Sequence, residues 1–216
     1  MSLAVDVFWS FRSPYSYLAT NRLVGIGNEW DVDLRLRPVL PIAVRTPEFF
    51  DRVHPLWPMY LLRDTMRIAQ FLGLPFQWPQ PDPIVQDFAT RTIAADQPYI
   101  HRLTRLGIEA VRRGRGLPFI DEVSKIIWGG TPQWNDGDHL AKAAQRAGLD
   151  LATMDLAIAQ PASHDAEIEA NQQALAEAGH WGVPTMVFEG EPFFGQDRID
   201  LLLWRLQLHG LRVRAR

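Results

Sequence analysis

The sequence predicts an α/β protein: one mixed β-sheet, split between the two ends of the chain, with a block of helices between its halves. Three observations predict it. Residues 4–11 (AVDVFWSF) and 32–39 (VDLRLRPV) are strand-like runs on either side of a helical segment. Residues 182–194 (GVPTMVFEGEPFF) are two short runs around a Glu-Gly turn, the signature of a hairpin, and an apolar-spaced segment follows them. The long middle of the chain carries helical periodicity broken by Gly and Pro.

Taken in order, the first strand is rich in β-branched and aromatic residues and stops at Ser13-Pro14. Ser at a cap followed by Pro at the first helical position is a helix start. Tyr17, Leu18 and Leu23 supply that helix's apolar stripe, which should fade near Gly25 and Gly27. Residues 32–39 alternate apolar and charged positions and end at a proline, so the first three elements read as a parallel βαβ unit. Residues 40–58 are Pro-rich and irregular, a long loop of the kind that carries ligand contacts. Helical spacing returns over 58–72 and stops at Gly73, and QWPQPDP (77–83) is a break. Further helices are expected at 84–95, 98–114, 118–128, 138–147, 151–159 and 162–178, with Asp136 and Asp138 as caps of the 138–147 helix. A terminal helix in GQDRIDLLLWRLQL follows the hairpin, with Asp197 near its start. The pattern divides into a sheet-bearing unit, residues 1–40 with 180–216, and a helical insertion with its connecting segments over 41–179.

Composition narrows the function. The chain has 216 residues, 47% of them hydrophobic, enough for a substantial core. A net charge of -3, with acids and bases interspersed, predicts neither a nucleic-acid nor a membrane-surface partner. The basic tail LRVRAR reads as a frayed end. Without cysteine there is no disulfide, thiolate metal site or redox thiol, which suits a reducing cytoplasm. No signal-peptide pattern or membrane-length apolar run is present, so a cytoplasmic protein is expected. The six His residues are scattered without ligand spacing, and NDGD at 135–138 is too short for a calcium loop, so no metal site is expected. There is no G-x-S-x-G motif, which argues against hydrolysis. Eight Trp and eleven Phe are mostly core, but some suit a pocket for a flat apolar ligand.

Three motifs add to this reading. FRSPYSYLA at the first helix, GVPT before the hairpin and FFGQDRIDLL after it resemble the 2-hydroxychromene-2-carboxylate isomerases, as does PMYLLRDTMRIAQFLGLPF in the middle of the chain. That family stands with the kappa-class glutathione transferases, in the group related to the disulfide oxidoreductase DsbA. The resemblance implies a thioredoxin-like mixed sheet with an all-helical insertion, glutathione as cofactor, and assembly as a homodimer. It implies isomerase action on a small aromatic catabolic intermediate, interconverting a cyclic 2-hydroxychromene carboxylate and an open trans-benzylidenepyruvate. A kappa-like transferase or peroxidase, and a non-catalytic thioredoxin-like binding protein, are the alternatives.

Residue by residue, the resemblance places Ser13 at the family's catalytic serine, where disulfide oxidoreductases have the first cysteine of their redox motif. Pro184 matches the cis-proline of thioredoxin-like folds, and Val183 before it would offer its backbone to the cysteinyl part of glutathione. Gln196 and Asp197 match the segment that holds the γ-glutamyl end. The 40–58 loop departs from the pattern, since it lacks the Asn that many members carry there. A serine hydroxyl at a helix N-terminus suits a donor to sulfur, because free N–H groups and the helix dipole favour a thiolate. The plainer readings stand beside these: Ser13 as a helix cap, Asp197 as another, Tyr15 and Tyr17 as core, and His180-Trp181 as an ordinary loop or a pocket border.

Overall fold

The computed structural model describes residues 3–87, 90 and 92–215. Strand β1 (Leu3–Trp9) leads into helix α1 (Pro14–Glu29), which returns the chain to strand β2 (Val32–Pro38). β1 and β2 are parallel, pairing Leu3 with Val32 through Trp9 with Pro38. Near the C-terminus, β3 (Thr185–Phe188) pairs antiparallel with β1, and β4 (Glu191–Phe194) pairs antiparallel with β3. The sheet order is β2-β1-β3-β4, so β1 is central, and its Val5, Val7, Phe8 and Trp9 are buried.

Helices fill the middle of the chain. They are α2 (Ile42–Arg45), α3 (Phe49–Arg52), α4 (Trp57–Leu72), α5 (Ile100–Arg112), α6 (Gly116–Trp128), α7 (His139–Arg146), α8 (Leu151–Ile158) and α9 (Ala162–Glu177). A 3-10 turn (Gln196–Arg198) then leads into α10 (Ile199–Leu208). Helix α1 packs on α6, while α5 and α9 pack against β2.

Buried tryptophans organise the junction between β1 and α1. The Trp9 indole N–H donates to the Ser16 carbonyl and the Thr20 hydroxyl, both at 3.0 Å. The Trp128 indole N–H donates to the Phe11 carbonyl at 3.0 Å. An aromatic ring that excludes water while its N–H holds the backbone is worth more than its area alone. The Trp134 indole N–H similarly holds the Pro81 carbonyl, at 2.7 Å, and so positions the 77–83 segment.

Four expectations are corrected. Helix α1 does not fade at its glycines but runs to Glu29, because buried Ile26 and the Trp30 N–H bond to the Ile26 carbonyl hold its last turn. The expected helix at 84–95 is a pinned loop, of which residues 88, 89 and 91 lie outside the described set. Gln86 bridges Ile93, and the Gln97 side chain, 4% exposed, accepts from the Val85 N–H and donates to the Val85 and Ala94 carbonyls. One buried amide supplies bonds that a helix would have made internally. Asp136 and Asp138 make no side-chain cap; Asp138 pairs with Lys142, and Asp150 caps α8 by accepting from the Thr153 N–H. The basic tail is tied down through Arg214: Val213 bridges Trp30, and the Arg214 N–H donates to the Glu29 carbonyl at 2.8 Å.

Candidate active site

A cavity of about 810 Å³ opens where the N-terminus of α1 meets the loop before β3. Its walls are largely apolar, with Phe49, Trp57, Leu62, Trp78, Trp181 and Phe194 among them. The irregular 40–58 stretch supplies much of one side, folded into α2, α3 and the start of α4. The loop at 84–93 supplies Ile84, Gln86 and Ile93.

Ser13 sits in this wall at the head of α1 with an extended backbone. Its hydroxyl accepts from the Ser16 N–H at 3.2 Å, so the cap reading holds. The same hydroxyl donates to the Val183 carbonyl at 3.1 Å, across 170 residues of sequence. Pro14 has no N–H and the Tyr15 N–H has no partner among the described residues, so a backbone donor stays open at the positive end of α1.

Val183 faces Ser13, and the Val183–Pro184 peptide bond is cis. The Val183 N–H has no partner among the described residues. Its carbonyl, expected to be open, is taken by Ser13. Pro184 lies just behind the wall, its carbonyl accepting from the Gly195 N–H at 2.9 Å. Gln196 and Asp197 follow Gly195 in the 3-10 turn but do not line the cavity. Asp197 pairs with Arg198 at 3.1 Å, and the Gln196 carbonyl accepts from Arg22. The structure thus brings Ser13, Val183 and Pro184 together and sets Gln196 and Asp197 one turn away.

Tyr15 lines the cavity, and its hydroxyl donates to Asp64 at 2.9 Å. Burial and that carboxylate push its pKa well above the usual tyrosine value, so it stays a neutral phenol. Trp181 is a wall residue, whereas His180 stands behind it, stacked on Phe194 at 4.0 Å. The His180 Nδ1 accepts the Gly182 N–H at 2.9 Å, and burial pulls its pKa down, which favours the neutral ring that bond needs.

Two arginines in the wall were missed from sequence. Arg12 donates through Nε and Nη2 to Asp82 at 2.6 and 2.8 Å, and its guanidinium lies 4.6 Å from the Trp78 ring centre. Arg45 donates to the Leu40 and Trp181 carbonyls at 2.7 and 2.9 Å and has no carboxylate partner among the described residues. Burial pulls its pKa down to about 10, opposed by the charge of Glu169, which still leaves it a cation at neutral pH. A charge amid apolar neighbours, as in SFRSP and PIAVR, was the signal available for both.

The profile of the DSBA-like thioredoxin domain matches residues 4–207. The chain belongs to that family. This DsbA-like domain has no cysteine, while its fold is similar to that of a Pseudomonas aeruginosa cytosolic disulfide reductase, DsbM, with a TM-score of 0.61 at 17% identity over 95% of this chain and 100% of that one. Among curated proteins it is 24% identical over 204 residues to a Pseudomonas putida 2-hydroxychromene-2-carboxylate isomerase, covering 93% of this chain and 92% of that one. It is 22% identical over 214 residues to rat glutathione S-transferase kappa 1, covering 94% and 90%. Among solved structures it superposes on a 2-hydroxychromene-2-carboxylate isomerase with a TM-score of 0.70, at 22% identity, over 96% of both chains. These relatives are named as isomerases and glutathione transferases.

Proposed function

We propose that the protein is a glutathione-dependent isomerase of the 2-hydroxychromene-2-carboxylate type, acting on an aromatic catabolic intermediate. The observation that carries the reading is the placement of Ser13. Its hydroxyl lies at a helix N-terminus, in the wall of an aromatic cavity, in a chain with no thiol of its own.

The residues present fit glutathione. The open Val183 N–H suits an extended peptide backbone, and Arg45, with no ion pair among the described residues, suits a carboxylate. Asp197, exposed in the turn after β4, is a candidate for the peptide's ammonium. When bound, glutathione supplies a thiol whose thiolate adds reversibly to activated double bonds. Ser13 would hydrogen-bond that sulfur after its hydroxyl turns away from Val183, which in turn frees the Val183 carbonyl for a peptide N–H. One charge-assisted bond of this kind lowers a thiol pKa of roughly 8.5 by about one unit. The aromatic walls hold a flat substrate and exclude water from the reacting atoms.

The test is calorimetric titration of glutathione into wild type and Ser13→Ala, followed by the ultraviolet spectrum of the bound thiol. Binding with a thiolate band in wild type that is lost in Ser13→Ala supports the reading. A folded wild type that binds no glutathione removes it.

A further inference from the structure

Arg12 and Arg45 share the cavity wall but differ electrostatically. Arg45 makes no ion pair among the described residues, its bonds going to two carbonyls while the Glu169 charge acts from farther away. Arg12 is compensated and held still. Asp82 grips its Nε and Nη2 side, the Trp78 face lies against its plane, and Asp82 is itself fixed by the Ile84 N–H at 3.1 Å and the Gln86 amide at 3.2 Å. The two side chains of that pair are 13% and 14% exposed. Arg12 Nη1 takes no partner among the described residues. Arg12 also precedes Ser13 in the chain, so its donor is anchored beside the residue proposed to face the nucleophile.

Such a donor is matched to a charge that appears during reaction. When a sulfur nucleophile adds to the β-carbon of a conjugated ketone, a C–S bond forms and the C=C π pair shifts toward the carbonyl. The oxygen takes the negative charge. Expelling the same sulfur restores the double bond, and no oxidant or reductant is consumed. The ion pair holds the guanidinium in place, so its oriented N–H groups stabilise an anionic oxygen without having to reorganise. We propose that Arg12 is a catalytic oxyanion donor, binding the carbonyl oxygen of an α,β-unsaturated ketone through Nη1. Substrates therefore present a conjugated carbonyl oxygen toward Arg12. The assignment rests on the addition chemistry proposed above.

A glutathione-independent probe separates the two ideas. 4-Nitrophenol is a flat aromatic whose phenolate absorbs visible light, so its ionisation in the cavity can be read directly. Wild type is expected to lower the probe's apparent pKa by about one unit or more, as an oriented, charge-assisted donor does. The shift is expected to survive Arg45→Met and to vanish in Arg12→Gln, with the probe still bound. Arg12→Lys, which keeps a charge in the event that Arg12→Gln is unfolded, retains part of the shift. With glutathione and the carboxylate-free enone trans-4-phenyl-3-buten-2-one, Arg12→Gln is expected to lose about 100- to 1,000-fold in kcat while glutathione affinity is unchanged. A probe shift absent from wild type, or one that survives Arg12→Gln, overturns the assignment. Loss of the shift in Arg45→Met alone overturns it as well. Failure of wild type to bind glutathione removes the isomerase reading but leaves the probe result standing.

Discussion

Gly182, between Trp181 and Val183, is the tightest point of the loop that forms the cavity wall. A Cβ built there would lie 2.5 Å from Phe194 Cε2, 2.9 Å from Phe194 Cζ and 3.1 Å from His180 Cε1. That is roughly 1 Å inside a normal carbon contact of about 3.5 Å. Gly182 does not hold the left-handed backbone, so alanine is conformationally allowed and the cost is purely steric. Phe194 is 40% exposed, but moving its ring breaks its stack on His180 at 4.0 Å and its contact with Trp181 at 6.1 Å. Overpacking of this kind costs about 1–3 kcal/mol. In a chain of this length that lowers the thermal midpoint by about 2–12 °C. Circular dichroism melting of Gly182→Ala checks it. Adding Phe194→Leu should remove the opposing ring edge and recover part of the loss, giving a favourable coupling energy. A Gly182→Ala variant as stable as wild type, or one whose loss simply adds to that of Phe194→Leu, would refute the packing argument. The same displacement moves Val183 relative to Ser13, so ligand binding is expected to weaken along with stability.

Three further outcomes are expected. Gly25→Ala, in open space within α1, should stabilise the protein by about 0.5–1 kcal/mol, read from urea unfolding. Asp150→Ala should cost about 1 kcal/mol through the lost Thr153 cap, whereas Asp138→Ala, whose carboxylate pairs with exposed Lys142, leaves the unfolding midpoint unchanged. His180 binds its proton less readily folded than unfolded, so its contribution to stability is complete above the unfolded value of roughly 6.5 and is lost as pH falls through its lower folded value. Wild type should therefore lose more stability from pH 7 to 5 than His180→Asn, as followed by Trp fluorescence during urea unfolding.

Elements whose apolar spacing and punctuation agree were legible along the chain. The βαβ unit, the hairpin at GVPTMVFEGEPFF, most of the helices and the Ser13-Pro14 helix start emerged from local pattern. The misread segments are those where a distant group overrides local preference. Residues 84–95 have helix-compatible composition, yet buried Gln97 satisfies their backbone in a loop. Gly25 and Gly27 look like a helix end, yet Ile26 is buried and the helix continues.

Alternation of apolar residues with periods of two and 3.6 determines which faces can be buried, and burial selects the fold class, so the α/β architecture could be read from sequence alone. The candidate site could be read only in part, because its chemistry lies in pairs far apart in the chain. Ser13 meets Val183 across 170 residues, and Arg12 meets Asp82 across 70. Whether an arginine is paired with a carboxylate, as Arg12 is, or bonded to carbonyls with no ion pair among the described residues, as Arg45 is, depends on which groups the fold brings within a few ångströms. Coulombic and hydrogen-bonding energies fall off with spatial distance, and only the tertiary structure sets that distance.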